Sequence, residues 1–265
     1  MSKKGQVTVF MVLGFISLLV FGIIVGIRSY SQEQSVGSSQ EQILEASQFA
    51  VPVKSYVESC LEKTGEEAIV FIGEHGGYYK LPKLSEPQLE LPYYFYDNIS
   101  YLLTKEELEK QLSNYIDNEL FFCLGNFGIF KRQGYNIKQG DVSTITKVTE
   151  NKVKFEVNLP VEVAGGTTLS SLDSFSTSIS SRLGTIYDMV QKLMNEQVQN
   201  PGSICVGCIT IWGIERDLRT EMYYLNEGEI MFVIVDEKVF VDGKPFKYIF
   251  INQYHFNTNE NFGMQ

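Results

Sequence analysis

A long apolar segment near the N-terminus constrains this chain more than any other feature. The 21 residues Val7–Ile27 contain no charged side chain, and the only charges within residues 1–27 are Lys3 and Lys4. A helix of this length covers about 32 Å, which matches the hydrocarbon core of a bilayer. The segment is apolar all round, whereas a helix in a soluble core is apolar on one face only. We therefore predict an N-terminal signal or transmembrane helix over residues 1–27, held in membrane lipid through residues 7–27.

Charge on either side of this segment predicts its orientation. Lys3 and Lys4 precede it and Arg28 follows it, so the positive-inside rule keeps the N-terminus in the cytoplasm. The rest of the chain would then lie outside the cell, as a single-pass membrane protein or part of a surface filament. It carries 22 − 2 = 20 basic and 32 acidic residues, a net charge of −12. Because phosphate binding needs a basic face, we expect no nucleic acid partner.

The residues Lys3-Lys4-Gly5-Gln6-Val7-Thr8 resemble the class III signal peptides of archaeal type IV pilin-like proteins. In that family a basic stub is removed just before a Gln, and a hydrophobic helix follows directly. The resemblance covers about the first 28 residues, and Phe10 stands where the family usually has Glu. It implies an archaeal lineage, cleavage between Gly5 and Gln6, and a homo-oligomer formed through the N-terminal helix.

The remaining chain predicts an α+β ectodomain, in which helices pack on an antiparallel sheet. Residues 28–50 are polar and Ser-rich, which is typical of a stalk but also compatible with an extension of the first helix. Residues 51–133 have helical periodicity and many aromatics, and residues 134–265 are β-rich. These could be two parts or one continuous body.

Periodicity and turn residues predict the elements of this ectodomain. Thr104 and Glu107 form a capping box at the start of a helix that ends at Gly125. The apolar positions from Val153 to Leu159 alternate with polar ones, as in a half-buried strand. The other predicted elements are a helix from Pro52 to Gly76, an aromatic-rich loop over Tyr78–Tyr96, a helix over Leu183–Val198, and short strands over Ile204–Ile214, Met222–Leu225, Ile230–Val235, Lys238–Val241 and Lys247–Tyr254.

Four cysteines follow the apolar segment, and four cysteines permit three pairings. We favour Cys60–Cys123, which would join the first two helices, and Cys205–Cys208. Buried thiols are the alternative for the first pair. For the second pair the choice lies between a structural clip at the start of a strand and a thiol–disulfide exchange site, and we favour the clip. A zinc site is weakly indicated, because no second closely spaced pair is present.

No other chemistry is indicated by a motif. The chain lacks the nucleophile elbow, the zinc-protease helix and the phosphate loop, so we predict no enzyme, no cofactor and no metal. Asn98-Ile99-Ser100 is a glycosylation sequon in a predicted external loop. We predict a membrane-anchored surface protein, pilin-like, with a structural, adhesive or filament-forming role. The alternatives are a monomeric anchored domain that binds a partner or glycan through its aromatic loop, and a redox protein using Cys205 and Cys208.

Overall fold

The computed structural model describes residues 50–165, 168–226, 228–241 and 243–255, and shows the mixed α+β architecture that the sequence predicts. The predicted apolar helix and most of the stalk lie outside the described residues. Within the described part, no helix is both long and apolar enough to cross a membrane.

The predicted helices form where their capping and periodic residues place them. At the start of α2, the side chain of Thr104 accepts a hydrogen bond from the backbone of Glu107, and the Glu107 side chain accepts one from the backbone of Thr104. The same helix ends at Gly125, in the left-handed conformation. The helices are α1 (50–74), α2 (Lys105–Leu124), the short α3 (Gly128–Lys131), α4 (Leu183–Gln199) and α5 (Val206–Arg216).

Sheet I contains strands from both ends of the described chain. Its strand order is β1-β2-β10-β9-β8, and β3 pairs with β2. The β2–β10 pairing is parallel and all the other pairings are antiparallel. The last three strands form the meander that the sequence predicts, although two of the predicted strands are one continuous β9. The strands are β1 (Ser85–Glu86), β2 (Leu91–Tyr96), β3 (Ile99–Ser100), β8 (Arg219–Asn226), β9 (Glu229–Val241) and β10 (Lys244–Gln253).

The predicted loop over Tyr78–Tyr96 is wrong in its last part, where the structure has strand β2. Three prolines made this segment look irregular, but Pro92 is only the second residue of β2, where a missing N–H is tolerated. Nearly all of the strand is buried, because β10 and β1 flank it and the core covers it. A strand buried on both faces shows no polar alternation, so the period-two signal is absent.

Sheet II is built around the long strand β6 (Lys152–Gly165). One edge of β6 pairs with β4 (Asn136–Gln139) and then with β5 (Ser143–Val148), and the other edge pairs with β7 (Thr168–Ser180). From Val153 to Val163 every second residue is buried, which confirms the predicted half-buried strand.

Helix α1 lies against both sheets. A Cβ added at Gly65 would lie 2.6 Å from Ile179 of sheet II, and one added at Gly73 would lie 2.3 Å from the carbonyl oxygen of Lys247 in sheet I. The part of α1 around Gly65 therefore packs on sheet II and its C-terminal end packs on sheet I. Residues on either side of Gly134 consequently share one core.

Replacing Gly73 with alanine should destabilise the fold, although helix propensity alone predicts a gain of about 1 kcal/mol. The added methyl group would overlap the Lys247 carbonyl and the ring of Phe246, so we expect a loss of about 2 kcal/mol in the free energy of unfolding. Urea denaturation measures this change. The matched control is Gly128→Ala, whose nearest neighbour would be the flexible Arg132 side chain at 3.7 Å. Equal stability of the two variants would contradict the close approach of α1 to sheet I.

Buried tyrosine makes the fold sensitive to alkaline pH. The Tyr94 hydroxyl donates to the carbonyl of Gly76 at the end of α1 and contacts the Tyr248 hydroxyl at 2.6 Å. Burial raises the pKa of Tyr94 well above its ordinary value of 10.0. The folded chain therefore keeps this phenol neutral where the unfolded chain ionises it. The corresponding stability is complete below pH 10 and is lost as the pH rises toward the folded-state pKa.

The Tyr94→Phe variant should be less stable than the parent at pH 7, by about 1–3 kcal/mol, because the Gly76 carbonyl loses its donor. Above pH 10 this difference should shrink, since the variant no longer carries the titrating phenol. Urea denaturation between pH 7 and 11 tests both statements. Tyr224→Phe, at a side chain that is 68% exposed, serves as the control and should follow the parent throughout. A Tyr94→Phe deficit that stays constant with pH would contradict the role assigned to Tyr94.

Candidate functional site

The first disulfide is an internal link between two helices. Cys60 of α1 bonds to Cys123 of α2, with their Cα atoms 5.6 Å apart, which confirms the predicted pairing. Cys60 is buried, and Tyr56 on the same helix donates its hydroxyl to the Cys123 carbonyl at 3.0 Å. This disulfide closes a loop with a sequence separation of 63 residues. Constraining that loop in the unfolded chain stabilises the fold by at most about 4 kcal/mol.

The second disulfide, Cys205–Cys208, also forms as predicted, but its setting is different from the prediction. The sequence predicts a strand over Ile204–Ile214, and the structure has helix α5 there. Cys205 is the N-cap residue of this helix, and its Sγ accepts a hydrogen bond from the backbone N–H of Cys208 at 3.3 Å. The proposed clip at a strand start is therefore wrong as to the element. The pair lies in the first turn of a helix instead.

Packing against α4 explains why this segment is helical despite its β-branched residues. Ile209 and Gly213, four residues apart on α5, are its buried positions. Trp212 lies under the Lys192 ammonium of α4, with 4.4 Å between the nitrogen and the ring centroid. The buried positions repeat at the helical period, and the Lys192–Trp212 contact joins α5 to an element that the sequence does not identify as its neighbour. Tertiary contact thus overrides local β-propensity.

The surroundings of Cys205–Cys208 are polar and partly open to solvent. Both cysteines are partly exposed, and an added Cβ at Gly207, between them, would meet no atom within 4 Å. A carboxylate oxygen of Glu196, on α4, and the two sulfurs all lie within 4.8 Å of one another. The Nδ2 of Asn200 donates to Oε1 of Glu196 at 2.7 Å. No sequence motif identifies Glu196 as part of this site, because only the contact between α4 and α5 brings it close to Cys205 and Cys208.

The loop between α4 and α5 is held by a buried amide. Gln197 is almost fully buried, and its Nε2 donates to the carbonyl oxygens of Asn200 at 3.0 Å and of Ser203 at 2.9 Å. Two backbone acceptors in the loop are thereby fixed relative to α4. The position of Cys205 relative to Glu196 is set by this arrangement.

The four cysteines are paired in a way that does not suit the weakly indicated zinc site. Glu196, Cys205 and Cys208 are donors that zinc accepts, but two sulfurs joined in a disulfide provide no thiolate. Cys60 and Cys123, the other two cysteines, are bonded to each other in a different part of the fold. In this oxidised form the four cysteines therefore do not form a ligand set.

Asn98 occupies the turn between β2 and β3. Asp97 and Asn98 have φ values of 48° and 62°, the pattern of a two-residue hairpin turn with both residues left-handed. Asn98 is exposed there. Its glycosylation stays a prediction, and the predicted processing site at Gly5 and Gln6 lies outside the described residues.

The aromatic cluster near Asn98 belongs to the core. Tyr93, Tyr94 and Phe95 of β2 are all buried, so these rings serve the packing of the core. Tyr93 donates its hydroxyl to Glu229 at 2.6 Å, and burial raises its pKa. These rings therefore present no exposed stacking surface.

Comparisons with known proteins identify no relative of this chain. No family model, curated protein or solved structure matches the chain. Its function must be inferred from the two disulfides, from the surface around them and from the sequence of the N-terminal segment.

The two disulfides should differ in their contribution to stability. Removing the first with Cys60→Ala and Cys123→Ala should lower the free energy of unfolding by up to about 4 kcal/mol, whereas Cys205→Ala with Cys208→Ala should cost at most about 2 kcal/mol. The reason is loop length, since the second disulfide spans only three residues. Urea denaturation of the two double variants provides the measurement, with each serving as the control for the other. A larger loss from the second pair would contradict this assignment.

Proposed function

We propose that the chain is a membrane-anchored extracytoplasmic surface protein, pilin-like in its N-terminal segment, with a structural, adhesive or filament-forming role. The observation that carries the proposal is the pairing of all four cysteines, one pair being the internal link between α1 and α2. Disulfides of this kind form and persist in oxidising compartments. The orientation predicted from Lys3, Lys4 and Arg28 would place all four cysteines outside the cell, which is such an oxidising compartment.

The predicted anchor and the described body are compatible in their physical requirements. An apolar helix over residues 7–27 must bury its surface either in lipid or against copies of itself. The first of these environments gives a single-pass anchored protein, and the second gives a filament core with closed or helical symmetry. The acidic body would remain in solvent in both cases, and its net negative charge favours solubility. The proposal therefore includes membrane lipid and further copies of this chain as partners.

Cross-linking of α1 also suits a mechanical role. Helix α1 is the first described element after the predicted stalk, so a pull on the anchor would reach the body through this helix. The Cys60–Cys123 disulfide ties it covalently to α2, and its packing on both sheets distributes the load through the core. A tether to a surface body needs such an attachment, whereas a catalytic site has no requirement for it.

Topology and processing test the proposal directly. Protease added to intact cells should digest the body, and mass spectrometry of the membrane fraction should find a mature N-terminus at Gln6. Reversing the flanking charge with Lys3→Glu and Lys4→Glu should reduce the protease-accessible fraction, because it removes the basic residues that hold the N-terminus inside. Lys152→Glu and Lys154→Glu, a matched pair of charge reversals in the exposed part of β6, are the control and should leave topology unchanged.

Digestion that occurs only after cell lysis would place the body in the cytoplasm and overturn the proposal. An intact N-terminus upstream of Gln6, on a body that is digested in whole cells, would retain the anchor and remove the pilin-like processing. Shearing separates the remaining two forms, because filaments are released from the cell surface by shear and single anchored copies are not.

A further inference from the structure

We infer that Cys205 and Cys208 form a redox-active site that exchanges its disulfide with thiol substrates, in which Cys205 is the attacking sulfur and Glu196 is the proton acceptor. The inference goes beyond the anchoring role and does not depend on it. Three observations carry it: the position of the pair at the start of α5, its partial exposure, and the carboxylate beside both sulfurs.

The helix start stabilises negative charge on one particular sulfur. Helix α5 has 11 residues, and its N-terminal N–H groups carry a partial positive charge. The backbone N–H of Cys208 already points at Sγ of Cys205, at 3.3 Å. After reduction the same N–H would donate to a thiolate on Cys205, which is the form of cysteine that attacks disulfides. Cys205 is therefore the nucleophile of the pair.

Glu196 provides the base that the second sulfur needs. A carboxylate oxygen of Glu196 lies within 4.8 Å of both sulfurs. The hydrogen bond from the Asn200 side chain to Oε1 of Glu196 holds this carboxylate in place. A carboxylate in this position can accept the proton of the Cys208 thiol through one bridging water, or after a small movement to hydrogen-bond distance, as Cys208 attacks. The buried Gln197 amide keeps the loop that carries Cys205 fixed against α4.

The exchange balances in bonds, electrons and protons. A substrate thiolate attacks Sγ of Cys205, a disulfide forms between substrate and Cys205, and Cys208 leaves as a thiolate that takes up a proton. A second substrate thiolate then attacks the mixed disulfide, which releases the oxidised substrate and leaves Cys205 as a thiolate. Two substrate thiols are oxidised and one protein disulfide is reduced. A low-molecular-weight disulfide reoxidises the pair by the reverse route, in which Glu196 accepts the Cys208 proton.

The chain contains its own internal reference for this activity. Cys60 is 4% exposed but Cys123 is partly exposed, so a thiol in solution can approach this disulfide only from the Cys123 side, between two packed helices. Cys205 and Cys208 are both partly exposed, and a Cβ added at the exposed Gly207 would have no atom within 4 Å. Cys205–Cys208 also closes a far shorter loop and so stabilises the fold less, which means that it should open at a less reducing poise than Cys60–Cys123.

The first test measures this difference on the full-length protein. The oxidised chain is equilibrated with reduced and oxidised glutathione at pH 7, quenched with acid and alkylated, and the modified cysteines are quantified by peptide mass spectrometry. We expect Cys205–Cys208 to open at a glutathione poise at least tenfold less reducing than the one that opens Cys60–Cys123. Opening of both disulfides at the same poise, or of Cys60–Cys123 first, would overturn the inference.

The second test assigns the attacking sulfur and the base. In Cys208→Ser, oxidised glutathione should form a mixed disulfide at Cys205 at least tenfold faster than it does at Cys208 in Cys205→Ser. Equal rates would overturn the assignment of Cys205. Glu196→Gln should slow reclosure of the reduced pair by oxidised glutathione about tenfold without changing the urea midpoint, whereas Glu215→Gln, at an exposed position at the far end of α5, should not slow it. Unchanged reclosure in Glu196→Gln would exclude Glu196 as the base.

A third test asks whether the thiol substrate is a polypeptide or a small molecule, by comparing two thiols as reductants of the Cys205–Cys208 disulfide. Glutathione and a synthetic peptide with one cysteine between leucines offer the same sulfur chemistry. A rate at least tenfold higher for the peptide would support a polypeptide substrate, and similar rates would support a small thiol. Failure of both to reduce Cys205–Cys208 faster than Cys60–Cys123 would overturn the inference and leave the proposed anchoring role untouched.

Discussion

The close approach of α1 to both sheets is the contact on which the rest of the fold depends. Gly65 and Gly73 lie eight residues apart, about two helical turns, and each faces a different sheet at a distance that excludes a side chain. Because one helix contacts both sheets, their apolar faces and helices α2 and α4 form one core. The disulfide to α2 and the Tyr94 hydroxyl at its C-terminal end then hold α1 in this place.

Tyrosine hydroxyls perform a second structural task at the boundaries of this core. Tyr56, Tyr94 and Tyr187 each donate to a backbone carbonyl at or near a helix terminus, where carbonyl and amide groups lack partners within the helix. A phenylalanine could fill the same space but would leave those carbonyls unsatisfied. The 15 tyrosines of the chain are thus partly explained by the need for a ring that is apolar in its body and polar at its tip.

The two disulfides suit different tasks because their environments differ. Cys60–Cys123 joins two packed helices through a buried and a partly exposed cysteine and closes a long loop, so it acts on stability and on the attachment of α1. Cys205–Cys208 closes a short ring at a partly exposed helix start, beside a carboxylate, so it contributes little stability and is open to exchange. A surface protein in an oxidising compartment can contain both, since neither chemistry interferes with the other.

Local signals were sufficient for several elements of this protein. The Thr104–Glu107 capping box and the alternation that begins at Val153 predict α2 and β6, because capping and sheet pleating are satisfied by residues adjacent in sequence. The cysteine pairs were also predicted, since both Cys60 and Cys123 lie on helices that the periodicity identifies.

Tertiary structure alone decided the two elements that matter most for chemistry. The sequence of β2 predicts a loop, and the segment is a strand because it pairs in parallel with β10, which lies more than 150 residues further along the chain. The α5 segment is predicted as a strand, but the fold buries Ile209 and places Lys192 of α4 over Trp212, and the contact between α4 and α5 brings Glu196 to the sulfurs. The sequence by itself determined the disulfides, the capped helices and the alternating strand. The surroundings of Cys205 were decided by long-range packing, because the contacts that outweigh local propensity there come from residues that no local pattern connects.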